Sequence, residues 1–215
     1  MIKNKDLKRR IIDITYHKKL SHLSSCLNAV DTIVDIYNEK LPTDKFVLSC
    51  GHAGLALYVV LEALSEGMVS AEFLINKCGI HPERLQAENY IDCSTGSLGQ
   101  GLPIAVGMAL ADRNRSVYCI ISDGECAEGS IYEALNTIIE ERLTNIKVYC
   151  IINGQSAYKK LDTLSLENKL KALYPQINIV NAALYDYPVI GHMGLLQHYR
   201  VLDEAEYKSL MEYLK

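Results

Sequence analysis

Two short apolar runs, each ending in a polar residue and glycine, constrain this chain more than anything else in it. Val117-Tyr118-Cys119-Ile120-Ile121 leads into Ser122-Asp123-Gly124-Glu125, and Val148-Tyr149-Cys150-Ile151-Ile152 leads into Asn153-Gly154-Gln155. Between them Ile131, Ala134, Leu135, Ile138 and Ile139 form the stripe of a helix that begins near Ser130. Short β-rich runs joined by a helical interval predict a βαβ unit with adjacent parallel strands. Both polar ends then emerge at the carboxyl edge of the sheet, where open α/β folds bind ligands. As turn dipeptides alone, Asp-Gly and Asn-Gly also suit two ordinary βα turns.

The residues before this unit supply more of the same class. Residues 3 to 20 carry Leu7, Ile11, Ile12, Ile14 and Leu20 roughly at helical period. Ser24 or Ser25 is placed to cap a second helix reaching about Tyr37. Phe46-Val47-Leu48-Ser49 reads as a strand, and Gly51-His52-Ala53-Gly54 as a strand-to-helix turn whose helix runs to about Glu66. His52 there sits between glycines, where side chains reach a site and backbone can approach closely. His22 and His81 fall in irregular segments, and read alone they are loop histidines. Thr95-Gly96-Ser97-Leu98-Gly99-Gln100-Gly101 is a glycine-rich turn opening a helix from about Leu102 to Asp112, the form of an anion cradle at a helix start. It lacks the lysine of a Walker loop. Ser130 and Glu133 fit a capping box. Later come a helix from Leu166 to Tyr174, a strand over Ile177-Asn178-Ile179-Val180, a strand within Tyr187 to Leu196, and a helix from Asp203 to Leu214.

With 215 residues, 49% hydrophobic, and no repeat or flexible linker, the chain is expected to form one domain over 1–215. A net charge of −4 argues against non-specific nucleic-acid binding, and Lys8-Arg9-Arg10 reads as the solvated face of the first helix. No apolar run reaches membrane-spanning length. Seven cysteines without a Cys-x-x-Cys pair, and a start lacking a signal-peptide core, fit a reducing cytoplasm.

Several segments together resemble the diphosphate-binding half of transketolase, in the family's order. They are Ser21-His22, Phe46 to Ala53 with its Ser49-Cys50-Gly51-His52-Ala53 turn, and Gly79-Ile80-His81-Pro82-Glu83. Ser94 to Gly101, followed by Ala105-Val106-Gly107-Met108-Ala109, and Asp123-Gly124-Glu125 through Glu128-Gly129 to Glu133-Ala134 complete the set. The resemblance implies an α/β fold, a mainly parallel sheet flanked by helices on both faces, that binds thiamine diphosphate and magnesium. It implies that Asp123, Asn153 and the Gln155 carbonyl hold the Mg2+, with Gly124 at the diphosphate and Gly96 and Leu98 against the cofactor. His52 and His22 would point at the thiazolium and substrate hydroxyls, His81 further along the channel, and His198 or His192 would be the late active-site histidine, His198 the better match. Glu128 and Glu133 would join a carboxylate relay across a subunit interface. The implied reaction passes a two-carbon ketol unit from a ketose or its phosphate to an aldose.

Three departures shape the expectation. The half that binds the cofactor's pyrimidine ring has no counterpart here, so a separate pyrimidine-domain subunit is expected, in a heterotetramer with two copies of each chain. Asn181 to Gln197 is shorter than the family's corresponding segment. Ser122 replaces a glycine, Leu23 and Ser24-Ser25 replace Pro-Gly-Gly, and Gln155-Ser156 replaces a more apolar pair. The alternatives are another thiamine diphosphate subunit, of the 2-oxo acid dehydrogenase or deoxyxylulose-phosphate synthase type, and a non-catalytic diphosphate-binding regulatory module.

Overall fold

A computed structural model describes residues 4–85, 90–156, 159–182, 187–190, 196 and 198–215. Strands β1 (Lys45–Leu48), β2 (Val117–Ser122), β3 (Ile146–Ile152) and β4 (Asn178–Asn181) lie side by side in that order, every neighbouring pair parallel. Val47 is opposite Cys119, Cys119 opposite Val148, and Cys150 opposite Ile179. Because side chains alternate along a strand, such rows face one side of the sheet and their neighbours the other.

Each face has its own apolar layer. Phe46, Leu48, Tyr118, Ile120 and Ile151 pack against α1 (Asn4–His17), α2 (Leu23–Glu39), α3 (Gly54–Leu64), α4 (Ala71–Cys78) and α8 (Glu204–Tyr213). Val47, Val117, Cys119, Ile121, Val148, Cys150 and Ile152 pack against α5 (Gly101–Ala111), α6 (Gly129–Glu140) and α7 (Thr163–Leu173). A parallel sheet covered on both faces is why its central strands read as continuous apolar runs. The unit β2-α6-β3 is the βαβ crossover expected from the sequence, and it brings Asp123 and Asn153 to the same edge.

Several local expectations are corrected. α2 does not start on a serine cap: His22 is its N-cap, at φ 62°, and Ser24 and Ser25 are buried within its first turn. Burial of Leu23, Cys26 and Leu27 draws the helix start back and carries the serines inward. The Ser130–Glu133 capping box does not form, because Glu128 is the N-cap of α6 without a side-chain cap bond. Ser130 Oγ instead donates to the Gly99 carbonyl at 2.9 Å, joining α6 to the glycine-rich turn. The basic triplet is not a solvated face. Arg10 pairs with Glu62 at 2.9 Å and Glu72 at 3.0 Å, Lys8 with Asp31, and Arg9 donates to the Met211 and Leu214 carbonyls. Helix α4, capped by Ser70 Oγ accepting from the Phe73 N–H, is an addition, since its three buried residues make too short a stripe to read. Of the strand expected within Tyr187 to Leu196, residues 187–190 form a bend and turn, and 191–195 lie outside the described residues.

Candidate active site

The turn after β2 is built around one buried carboxylate. Asp123 is 3% exposed. Its Oδ1 accepts the Gly124 N–H at 2.9 Å, and its Oδ2 accepts the Asn153 N–H at 2.9 Å and the Gly154 N–H at 2.7 Å. Gly154, at φ +81°, takes the left-handed backbone that lets two successive N–H groups face one oxygen. Asn153 Oδ1 in turn accepts the Gln155 N–H at 2.9 Å. The two turns are therefore locked together across the crossover.

Burial pushes the Asp123 carboxyl up to about 6, against the opposing pull of the Gly154, Asn153 and Gly124 N–H groups. No lysine or arginine lines the cleft among the described residues. A carboxylate held this way lacks a counter-charge, and the nearby Asn153 amide oxygen and Gln155 carbonyl are hard oxygen donors. That set fits a hard divalent cation, which takes few ligands from protein and shares the rest with phosphate and water. A bound cation would hold Asp123 ionised.

The glycine-rich turn is positioned by a second buried carboxylate, Glu125, at 0% exposure. Glu125 Oε1 accepts the Ser49 hydroxyl at 2.6 Å and the Gly99 N–H at 3.0 Å, and Oε2 accepts the Ser122 N–H at 3.0 Å. One side chain thus joins the ends of β1 and β2 to the turn before α5. Burial raises its carboxyl above the usual range. Gly99's N–H is engaged by Glu125 and Gln100's by the Ser97 carbonyl, so these two N–H groups of the turn are not open to an anion. What the turn presents to the cleft is Gly96 and Leu98. Gly96 lies so near Gly51 that a Cβ on Gly51 would sit 2.7 Å from its nitrogen.

Histidines occupy the other end. His52 lies in the short 3-10 segment Gly51–Ala53 between β1 and α3. His22 precedes α2, and its N–H donates to the His198 carbonyl at 2.8 Å. The rings of His22 and His52 are 5.2 Å apart and those of His22 and His198 6.2 Å. Burial, then the repulsion of the neighbouring histidines, lowers His52 to about 3 and His22 to about 4. Burial also lowers His198. All three are neutral at pH 7, each offering one ring N–H and one lone pair. His81 is exposed, its ring against Gly96 and its carbonyl accepting the Tyr58 hydroxyl.

One cleft at the carboxyl edge is lined by His22, His52, His81, His198, Gly96, Leu98, Asp123, Gly124, Asn153 and Gln155, every one of them singled out in the sequence. His192 lies outside the described residues. Glu128 and Glu133 are exposed and do not line the cleft. Sequence reasoning gave no site role to Glu125, named there only within the Asp123-Gly124-Glu125 motif, nor to Ser25, Asn28 and Tyr199, which line the cleft too. For Ser25 and Asn28 a signal exists: they are polar residues three apart on a helix whose neighbours are apolar.

A parallel sheet carrying these turns and histidines at its carboxyl edge is a cofactor-binding domain of the α/β class. The chain belongs to the transketolase family: the family model described as "Transketolase, thiamine diphosphate binding domain" matches residues 34–157. It is 34% identical over 158 residues to a Phocaeicola vulgatus protein named as one subunit of an apulose-4-phosphate transketolase, covering 65% of this chain and 55% of that one. It is 35% identical over 158 residues to human transketolase, covering 63% of this chain and 25% of that one. The chain thus spans about half the length of the first relative and a quarter of the second. A transketolase variant from Pichia stipitis, solved with fructose 6-phosphate, has the same fold, with a TM-score of 0.72 at 20% identity over 98% of this chain and 40% of that one. No helix among the described residues is long and apolar enough to cross a membrane.

Proposed function

We propose that this chain is the diphosphate-binding subunit of a two-chain transketolase-like enzyme. It transfers a two-carbon ketol unit from a ketose or ketose phosphate to an aldose, with thiamine diphosphate and magnesium. The observation that carries the reading is the meeting, in one cleft of a transketolase-family domain, of Asp123, Asn153 and Gln155 with His22, His52 and His198. Asp123, the Asn153 amide oxygen and the Gln155 carbonyl hold the magnesium, and Gly124 faces the diphosphate. Gly96 and Leu98 lie against the cofactor. Bound thiamine diphosphate supplies an electron sink for breaking a carbon–carbon bond beside a carbonyl. His22, His52 and His198, neutral through burial, accept and return protons and bind hydroxyls, and His81 does so at the rim.

A second chain carrying the pyrimidine half completes the site, in a heterotetramer with two copies of each. Two observations support this. The relative from Phocaeicola vulgatus is named as one subunit of its transketolase. Helix α5 has no polar residue in eleven, yet Pro103, Gly107 and Leu110 on it are exposed. A helix apolar on every side is a buried helix. Glu128, exposed beside α5's own turn, and Glu133, exposed on α6, are the carboxylates of the relay that the partner covers. We take residues 1–215 as one domain and place the enzyme in the cytoplasm, in keeping with its seven unpaired cysteines.

The test is reconstitution. The chain alone transfers no ketol unit, and the chain combined with its co-purifying partner does so with fructose 6-phosphate or another ketose phosphate as donor. Full transfer by the chain alone, or none by a stable complex supplied with magnesium and thiamine diphosphate, overturns the reading.

A further inference from the structure

We propose that Asn28 is a specificity-determining residue whose side-chain amide binds a substrate hydroxyl at the histidine end of the cleft. The inference rests on the transketolase reading above and adds a residue to it. Asn28 is 5% exposed and lines the cleft, on the same stripe of α2 as Ser25, with His22 one further step before them. Neither Oδ1 nor Nδ2 has a hydrogen-bond partner among the described residues. His22 Nδ1 and His198 Nε2 are buried without partners in the same way. An unpaired buried amide is unfavourable, so it persists where a ligand pairs it.

The two ends of the cleft differ in this respect. At the metal end both side chains engage backbone: Asp123 accepts three N–H groups and Asn153 Oδ1 accepts one. At the histidine end Asn28, His22 and His198 line the cleft, and the Asn28 amide, His22 Nδ1 and His198 Nε2 have no partner among the described residues. An amide carries both donors and an acceptor, and a hydroxyl both donates and accepts, so the two complement each other. No lysine or arginine stands among the described lining residues, so this end suits the neutral hydroxylated part of a sugar rather than its phosphate. A hydrogen-bonding atom of the cofactor is the other source of the same chemistry, and the experiment separates the two.

Asn28→Leu keeps the volume and removes the unpaired amide. Without ligand the variant melts at or above the temperature of the native chain, because no described residue pairs with the amide. A lower melting temperature assigns Asn28 to the fold and overturns the proposal. In the reconstituted complex, kcat/KM with fructose 6-phosphate falls at least tenfold more than with 3-hydroxy-2-oxopropanoate, which carries the ketol carbons without the sugar's other hydroxyls. Equal losses on both donors together with weakened magnesium–thiamine diphosphate binding place the contact on the cofactor and overturn it. A native complex inert on both donors sinks the transketolase reading, and the Asn28 side-chain amide resonance of the full chain then decides separately. A shift on adding fructose 6-phosphate sustains hydroxyl binding, and no shift ends it.

Discussion

At the scale of single residues, two buried carboxylates without cations organise the site. Glu125 receives donors from three residues, Ser49, Gly99 and Ser122. Glu125→Gln turns an amide N–H2 toward at least one of them, which leaves a buried donor unpaired. We expect a loss of about 1–3 kcal/mol, read as a lower urea midpoint with unchanged slope. The histidines set the acid limb of stability. His52 is lowered by burial to about 3 in the folded chain, against 6.5 unfolded. Its contribution is present above the unfolded value and is lost as pH falls from there toward the folded one. Asp123 and Glu125, raised by burial, run the opposite way, so the comparison is with a variant. Between pH 7 and 5 the native chain should lose about 1 kcal/mol more stability than His52→Gln, allowing for partial exposure of the ring. Equal losses would remove His52 from that account. The meeting of Asp123 with Asn153 was legible because two apolar runs ending in Asp-Gly and Asn-Gly, one crossover apart, bring both turns to the same sheet edge. The role of Glu125 was not, because its partners just after β1 and in the glycine-rich turn lie 76 and 26 residues away in sequence.

Among the elements, the strands were the easiest to read and the helix starts the hardest. Continuous apolar runs at β2 and β3 have one explanation, a sheet covered on both faces. A helix start depends on where the neighbouring hydroxyl finds its partner. At α8, where the sequence places a helix start near Asp203, a capping box forms: Asp203 accepts the Glu206 N–H, and Glu206 accepts the Asp203 N–H, each at 2.9 Å. At α6 the same pattern in Ser130 and Glu133 forms no box, because Ser130 reaches across to Gly99. This yields a paired prediction by thermal or urea unfolding. Asp203→Ala costs about 1 kcal/mol, the usual size of an N-cap loss, whereas Glu133→Ala in the free chain changes stability by less than about 0.5 kcal/mol. A Glu133→Ala loss as large as that of Asp203→Ala would mean that its carboxylate supports the helix after all. The contrast frees Glu133 for a role toward a partner.

For the whole molecule, the cleft and the bare face of α5 belong to one design. The glycine-rich turn that lines the cleft runs directly into the helix that has no polar side. A chain covering α5 is thereby placed beside the cofactor site, with Glu128 at the junction, where its side chain packs against Gly99. A Cβ at Gly107 meets nothing within 4 Å among the described residues. Gly107→Glu therefore leaves folding intact and buries a charge only when the face is covered. The variant should unfold at the native urea midpoint yet elute as the free chain, and an intact complex would show that α5 is not the covered face. The sequence announced the cofactor end of this design through ordered motifs. For the hydroxyl-binding stripe of α2 it held only the spacing of Ser25 and Asn28 among apolar residues, which becomes meaningful once the unpaired amide is seen.

The central claim, a magnesium–diphosphate clamp made by Asp123 with Asn153 and Gln155, is tested most directly by calorimetry. Thiamine diphosphate is titrated into the complex of this chain with its partner, with and without magnesium, and into the same complex carrying Asp123→Asn. The account predicts saturable binding that requires magnesium and is weakened at least a hundredfold by Asp123→Asn while the complex stays assembled. Binding of equal strength without magnesium, or undiminished binding by the assembled variant, would contradict it.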